Sequence, residues 1–148
     1  MFTRKIYREM LDWRERYAGD YALFLRGMRG VGKTTLADKL GREAFRSYIL
    51  ISFDRVGEAV KDLFVNGLTD LDGFFATLSV LYGRKLYAGE SLIILDGVEH
   101  CPAARQAVKT LVEDGRYAVL ETGCELLLNK WPAHSRSFTG ESSGPTIL

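Results

Sequence analysis

The sequence predicts an α/β fold, a parallel sheet of four strands with helices on both faces. Two observations carry that expectation. Short apolar runs alternate with stretches of helical period, and each run is apolar on both of its faces. The runs are Tyr21–Gly27, Tyr48–Phe53, Ser91–Val98 and Tyr117–Gly123. A strand that is apolar throughout is covered on both sides, and parallel neighbours need a helical crossover to return the chain. The crossovers are read over about Lys33–Arg46, Val56–Val65, Asp70–Leu86 and Ala103–Asp114. Asn66 and Gly67 stop one helix, and Thr69 and Asp70 offer capping oxygens to the next. Ahead of the first strand, Phe2, Ile6, Met10, Trp13 and Tyr17 recur at helical spacing, which predicts an amphipathic helix over 1–18 lying on the domain. Glu9, Asp12 and Glu15 dilute its basic charge and weaken a membrane role.

The chain has 148 residues, with 20 Lys and Arg against 19 Asp and Glu, a net charge of +1. That balance makes no general electrostatic case for nucleic acid or an anionic membrane. A hydrophobic share of 47% with 26% charged residues is that of a folded domain rather than a disordered chain. No run approaches the roughly 20 apolar residues of a membrane helix. Two cysteines, Cys101 and Cys124, point to a reducing compartment, hence the cytoplasm. Residues 1–124 are expected to form the core and 125–148 an irregular or disordered tail, polar and rich in Ser, Gly and Pro from Trp131 onward. Glu125–Asn129 reads equally as a helical turn or an aborted strand.

Gly27–Thr34 reads GMRGVGKT, a complete G-x-x-x-x-G-K-[ST] phosphate-binding loop between a strand and a helix. Gly27, Gly30 and Gly32 allow a backbone path along which successive N–H groups face phosphate oxygens, and the helix N-terminus adds its positive end. Lys33 would meet the β- and γ-phosphates, and Thr34 would offer a hydroxyl to Mg²⁺. A plain glycine turn would need neither residue. The loop and its flank, Gly27, Met28, Arg29, Gly30, Val31, Gly32, Lys33, Thr34 and Thr35, are the expected nucleotide-binding residues. Arg29 either contacts phosphate or points to solvent. SLIILD, Ser91–Asp96, supplies a second anchor, four aliphatics ending in a carboxylate, so Asp96 joins Thr34 as the expected magnesium pair.

With these motifs stand the KIY…W helix, SYILISF, LYG at Leu81–Gly83, LIILDGVEH, ARQAVK and LVEDGRY…ETG, in that order. From Met1 to about Cys124 the sequence resembles the prokaryotic AAA-type P-loop ATPases that usually carry a further C-terminal domain of unknown function. The resemblance implies an ASCE-type sheet in which a sensor strand separates the aspartate strand from the loop strand. It also implies ATP and Mg²⁺ as ligands. Three departures stand out. The family usually follows its aspartate with a glutamate that polarises the attacking water; here that place is Gly97, and the nearest carboxylate is Glu99. Asp96 and Glu99 are therefore the expected catalytic pair, with weak hydrolysis. The sensor strand ends in Cys124, a poorer donor than a hydroxyl. Family-like sequence stops near residue 124, so the chain looks like the family's N-terminal ATPase core, incomplete at its C-terminal end.

That incompleteness predicts an open edge on Tyr21–Gly27, through which the chain would self-associate or take a protein partner. Of the remaining residues, Asp54 reads as a helix cap, although some phosphotransferases carry a substrate-activating carboxylate at such a place. Nothing assigns Arg116 as an arginine finger, and His100 and Cys101 have no second ligand pair at metal spacing. His134 has no partner. Three functions remain in view: a weak Mg·ATPase, a non-hydrolysing nucleotide-dependent switch or interaction module, and a small-molecule phosphotransferase, which lacks an arginine-rich lid. No N-K-x-D guanine reader occurs, and the resemblance favours ATP.

Overall fold

The computed structural model describes residues 2–27, 32–124, 135–139 and 146–147. The four expected strands are β1 (Ala22–Gly27), β2 (Ser47–Ser52), β3 (Ser91–Asp96) and β4 (Ala118–Cys124). They hydrogen-bond in the order β2-β3-β4-β1, all parallel. α1 (Phe2–Arg16) precedes β1, and α2 (Lys33–Ala44), α3 (Glu58–Asn66), α4 (Leu71–Tyr82) and α5 (Pro102–Asp114) connect the strands. β4, the last of the four, inserts between β3 and β1. The carboxyl ends of β3 and β4 thus stand at the same edge of the sheet as the carboxyl end of β1. Among the described residues no helix is long and apolar enough to cross a membrane.

Alternation along β3 divides the core. Ile93 and Leu95 pack with Phe64, Phe74 and Val108 beneath α3, α4 and α5, whereas Leu92 and Ile94 pack with Met10, Trp13 and Leu40 beneath α1 and α2. α1 is tied down by polar contacts as well as by its apolar stripe. Trp13 Nε1 donates to the Tyr21 carbonyl at 2.9 Å, and Arg14 Nε donates to the Ala44 carbonyl at 3.0 Å, satisfying an orphan acceptor at the end of α2.

The tail and the edge require a correction. Within the stretch expected to be irregular, Ser135–Thr139 forms β5, parallel to β1, and Thr146–Ile147 forms β6, antiparallel to β5. Leu23 of β1 is in register with Leu120 on one side and Arg136 on the other. The edge of β1 expected to be open is instead paired with β5. The reason is that a ladder is made by backbone groups, so a polar segment satisfies it as well as an aliphatic one. Glu125–Asn129 and His134 lie outside the described residues.

One buried ion pair interrupts the apolar sheet. Glu121 of β4 is fully buried, in register with Phe24 of β1 and Leu95 of β3. Arg105 of α5 places Nη1 at 3.2 and 3.3 Å from its two carboxylate oxygens and lies 4.9 Å over the Phe24 ring. Burial pulls the Arg105 pKa below its usual value, and the neighbouring Glu121 charge opposes that shift. Breaking such a pair strands a charge in the core. Glu121→Gln should lower stability to urea by about 3–5 kcal/mol, whereas the apolar double variant Arg105→Met/Glu121→Leu should lose much less.

Candidate functional site

Three segments converge at the carboxyl ends of the strands. β1 ends at Gly27, α2 begins at Lys33, and Gly32 before it takes φ 83°, ψ 22°. That left-handed conformation is one a Cβ would strain. Gly27, Gly32, Lys33, Thr34 and Thr35 are therefore placed at the strand end and first helical turn. Met28, Arg29, Gly30 and Val31 lie outside the described residues.

Asp96 ends β3, in register with Ser52 of β2. Its Oδ1 accepts from Thr34 Oγ1 at 2.8 Å and from Thr122 Oγ1 at 2.7 Å, and Ser52 Oγ lies 3.5 Å from Oδ2. Thr122 itself accepts the Gly97 N–H at 3.0 Å, so its one hydroxyl proton is committed to Asp96. The carboxylate is thereby held in one rotation by groups from α2 and β4. Beside it opens a cavity of about 320 Å³, walled by Lys33, Thr34, Thr35, Asp54, Asp96 and Glu99, with His100, Thr122 and Gly123.

The direction of Glu99, unreadable from the sequence, follows from Gly97. Gly97 adopts φ 76°, ψ 47° and starts a 3₁₀ turn over Val98–His100. That turn carries Glu99 back onto the cavity wall, its side chain 11% exposed and its Oε2 3.7 Å from His100 Nε2. A side chain at position 97 would be strained by the left-handed backbone, and its Cβ would lie 3.3 Å from His100 Cδ2. A glutamate at 97 is thus disfavoured by this turn as well as absent from the sequence.

The expected residues that are described come together here. Thr122, Ser52 and His100 were not foreseen. Only the cross-strand register brings Thr122 to Asp96, and no local pattern signals it. Asp54 is not a helix cap, since α3 starts at Glu58 behind Gly57, which makes no side-chain capping bond; Asp54 lines the cavity instead. Arg116 stands at the opposite end of β4, bound to Asp114 at 3.0 Å and Asp72 at 2.8 Å. Cys124 ends β4 in register with Gly27.

The donor set suits a hard divalent cation. Thr34 and Asp96 offer two oxygens in mutual contact. Among the described residues no group of three or more His, Cys, Asp or Glu forms a metal cage. Mg²⁺ needs none, because it usually takes one or two carboxylates and completes its shell with phosphate and water oxygens. A family model described as an AAA domain matches residues 19–143. No curated protein matches the chain.

The Thr122 hydroxyl can be tested on stability alone. Thr122→Val removes a donor to Asp96, at a cost of about 1–3 kcal/mol in urea unfolding, while the Gly97 N–H keeps its bond to the Thr122 carbonyl at 3.1 Å and Thr122→Ser should stay close to wild type. Equal losses in both variants would assign the effect to packing of the γ-methyl.

Proposed function

The chain belongs to this AAA-domain family, and we propose that it binds Mg·ATP at the carboxyl end of the sheet and hydrolyses it slowly. Family membership makes it a nucleotide-binding domain of the ATPase kind. The observation that carries the finer reading is the junction of Thr34, Asp96 and Thr122 beside Lys33. The Lys33 ammonium binds the β- and γ-phosphates, and the first N–H groups of α2 receive the remaining oxygens. Thr34 and Asp96 hold Mg²⁺, which when bound neutralises phosphate charge. Glu99 orients a water in line with the γ-phosphorus. As the new P–O bond forms, the bond to the β-phosphate oxygen breaks, ADP carries off the electron pair, and Glu99 receives the water's proton.

Slow turnover follows from where the carboxylate sits. It comes two residues late, on a 3₁₀ turn rather than on an extension of β3. The same glycine favours the second reading, a nucleotide-dependent switch without turnover. We assign the protein to the cytoplasm on its cysteine usage.

Two variants should separate binding from chemistry. By calorimetry, Lys33→Ala should bind Mg·ATP about tenfold more weakly or worse, since removing a charged partner of a buried pair costs about 2–5 kcal/mol. Glu99→Gln should bind like wild type and lose turnover by about 10²-fold or more. Equal affinity in Lys33→Ala overturns the phosphate site. A wild type without turnover at saturating Mg·ATP leaves the switch.

A further inference from the structure

A second surface lies at the other end of the sheet from Asp96. There a cavity of about 540 Å³ opens between α4, the turn that follows it and the residues leading into β4. At its base Phe75 packs edge to face on Tyr117, with ring centroids 4.8 Å apart, and Ala76, Val80 and Leu86 line its apolar part. Val80 is 80% exposed and the next residue, Leu81, 49%, although both are large and apolar. We propose that this groove docks an acidic, aliphatic-rich segment of a partner protein. Its aliphatic side chains would fill the space between Val80 and Leu86, and its Asp or Glu carboxylates would meet Arg84 and Lys85.

Charge decides the occupant. Arg116, at one end of the groove, is already neutralised by Asp72 at 2.8 Å and Asp114 at 3.0 Å. Arg84 and Lys85 form no ion pair among the described residues. They rest on rings instead: Arg84 lies 5.0 Å over Tyr48, and Lys85 Nζ is 5.5 Å from the Tyr87 centroid. Asp38, which accepts the Tyr48 hydroxyl at 2.7 Å, is taken by Arg42 as well. The groove thus runs from a neutral end at Asp72 to a positive end at Arg84. An apolar stripe lies between them, since Asp72, Ala76 and Val80 recur one helical turn apart. Apolar patches rimmed by charge mark interaction sites. A nucleic acid fits less well, because it draws on more cations than these two, and Arg116 covers the Phe75 face at 5.0 Å where a base would stack. The surface is also preformed. Gly83 takes φ 63° at the end of α4, the Arg84 N–H donates to the Ser79 carbonyl at 3.1 Å, and Ser47 Oγ donates to the Lys85 carbonyl at 2.6 Å. Docking there orders little new backbone.

Random peptides of about twelve residues, long enough as a helix to span the groove, are selected against the full chain and counter-selected against Arg84→Glu/Lys85→Glu. Enriched sequences should combine Leu, Ile or Val with Asp or Glu. By calorimetry the most enriched peptide should bind Val80→Asp and Arg84→Glu/Lys85→Glu about tenfold more weakly or worse than wild type, and its affinity for wild type should fall as salt rises. Val80, Arg84 and Lys85 are all exposed, so urea unfolding and Mg·ATP affinity should match wild type in both variants. No enrichment over the charge-reversed variant, enrichment of basic or uncharged peptides, or an affinity that survives either substitution overturns the docking site. So does a single-stranded oligonucleotide that binds wild type, fails on Arg84→Glu/Lys85→Glu and tolerates Val80→Asp, which would assign the two cations to nucleic acid.

Discussion

Oδ1 of Asp96 accepts hydroxyl hydrogens from Thr34 and from Thr122, and through them β3 is fastened to the first turn of α2 and to β4. The rest of the working end depends on this junction. Thr122 can reach Asp96 only because β4 lies between β3 and β1, and Thr34 only because α2 starts beside those strand ends. The Gly97 N–H bonds back to Thr122, so the oxygen that orients Asp96 also anchors the turn presenting Glu99. Hydrogen bonds to a charged group contribute about 1.5–3 kcal/mol each. Two of them on one oxygen are a sizeable part of the 5–15 kcal/mol typical of a whole domain's stability.

The layers around the sheet keep that junction aligned. α5 begins two residues beyond His100 and is clamped to β4 by Arg105 and Glu121, so the 3₁₀ turn is held at one end by Asp96 and Gly97 and followed by a pinned helix. On the other face, α1 is fastened to α2 and to the segment before β1 by Arg14 and Trp13. The helix carrying Lys33 and Thr34 is thus supported along its length.

Most of the framework was legible because its signals are local. SLIILD and YILISF could only be buried strands, and GVGKT declared a glycine-permitted turn into a helix. What escaped the sequence depends on distant pairing. SRSFT carries no aliphatic run, yet its backbone completes the ladder of β1. Glu121 sits in a stretch that reads as apolar, and only Arg105 packing across the sheet explains its burial. Thr122 looked like part of a strand ending, and its bond to Asp96 comes from register. For Glu99 the missing information was one backbone angle, the positive φ of Gly97.

Nucleotide affinity measured with Mg²⁺ and with a chelator, on wild type and on Asp96→Asn, tests the Asp96 junction most directly. Wild-type affinity for ATP should rise by about tenfold or more when Mg²⁺ is added. Asp96→Asn should keep its metal-free affinity and lose that increment. An Asp96→Asn protein that gains as much from Mg²⁺ as wild type would show that the cation is held elsewhere, and the account built on this carboxylate would fail.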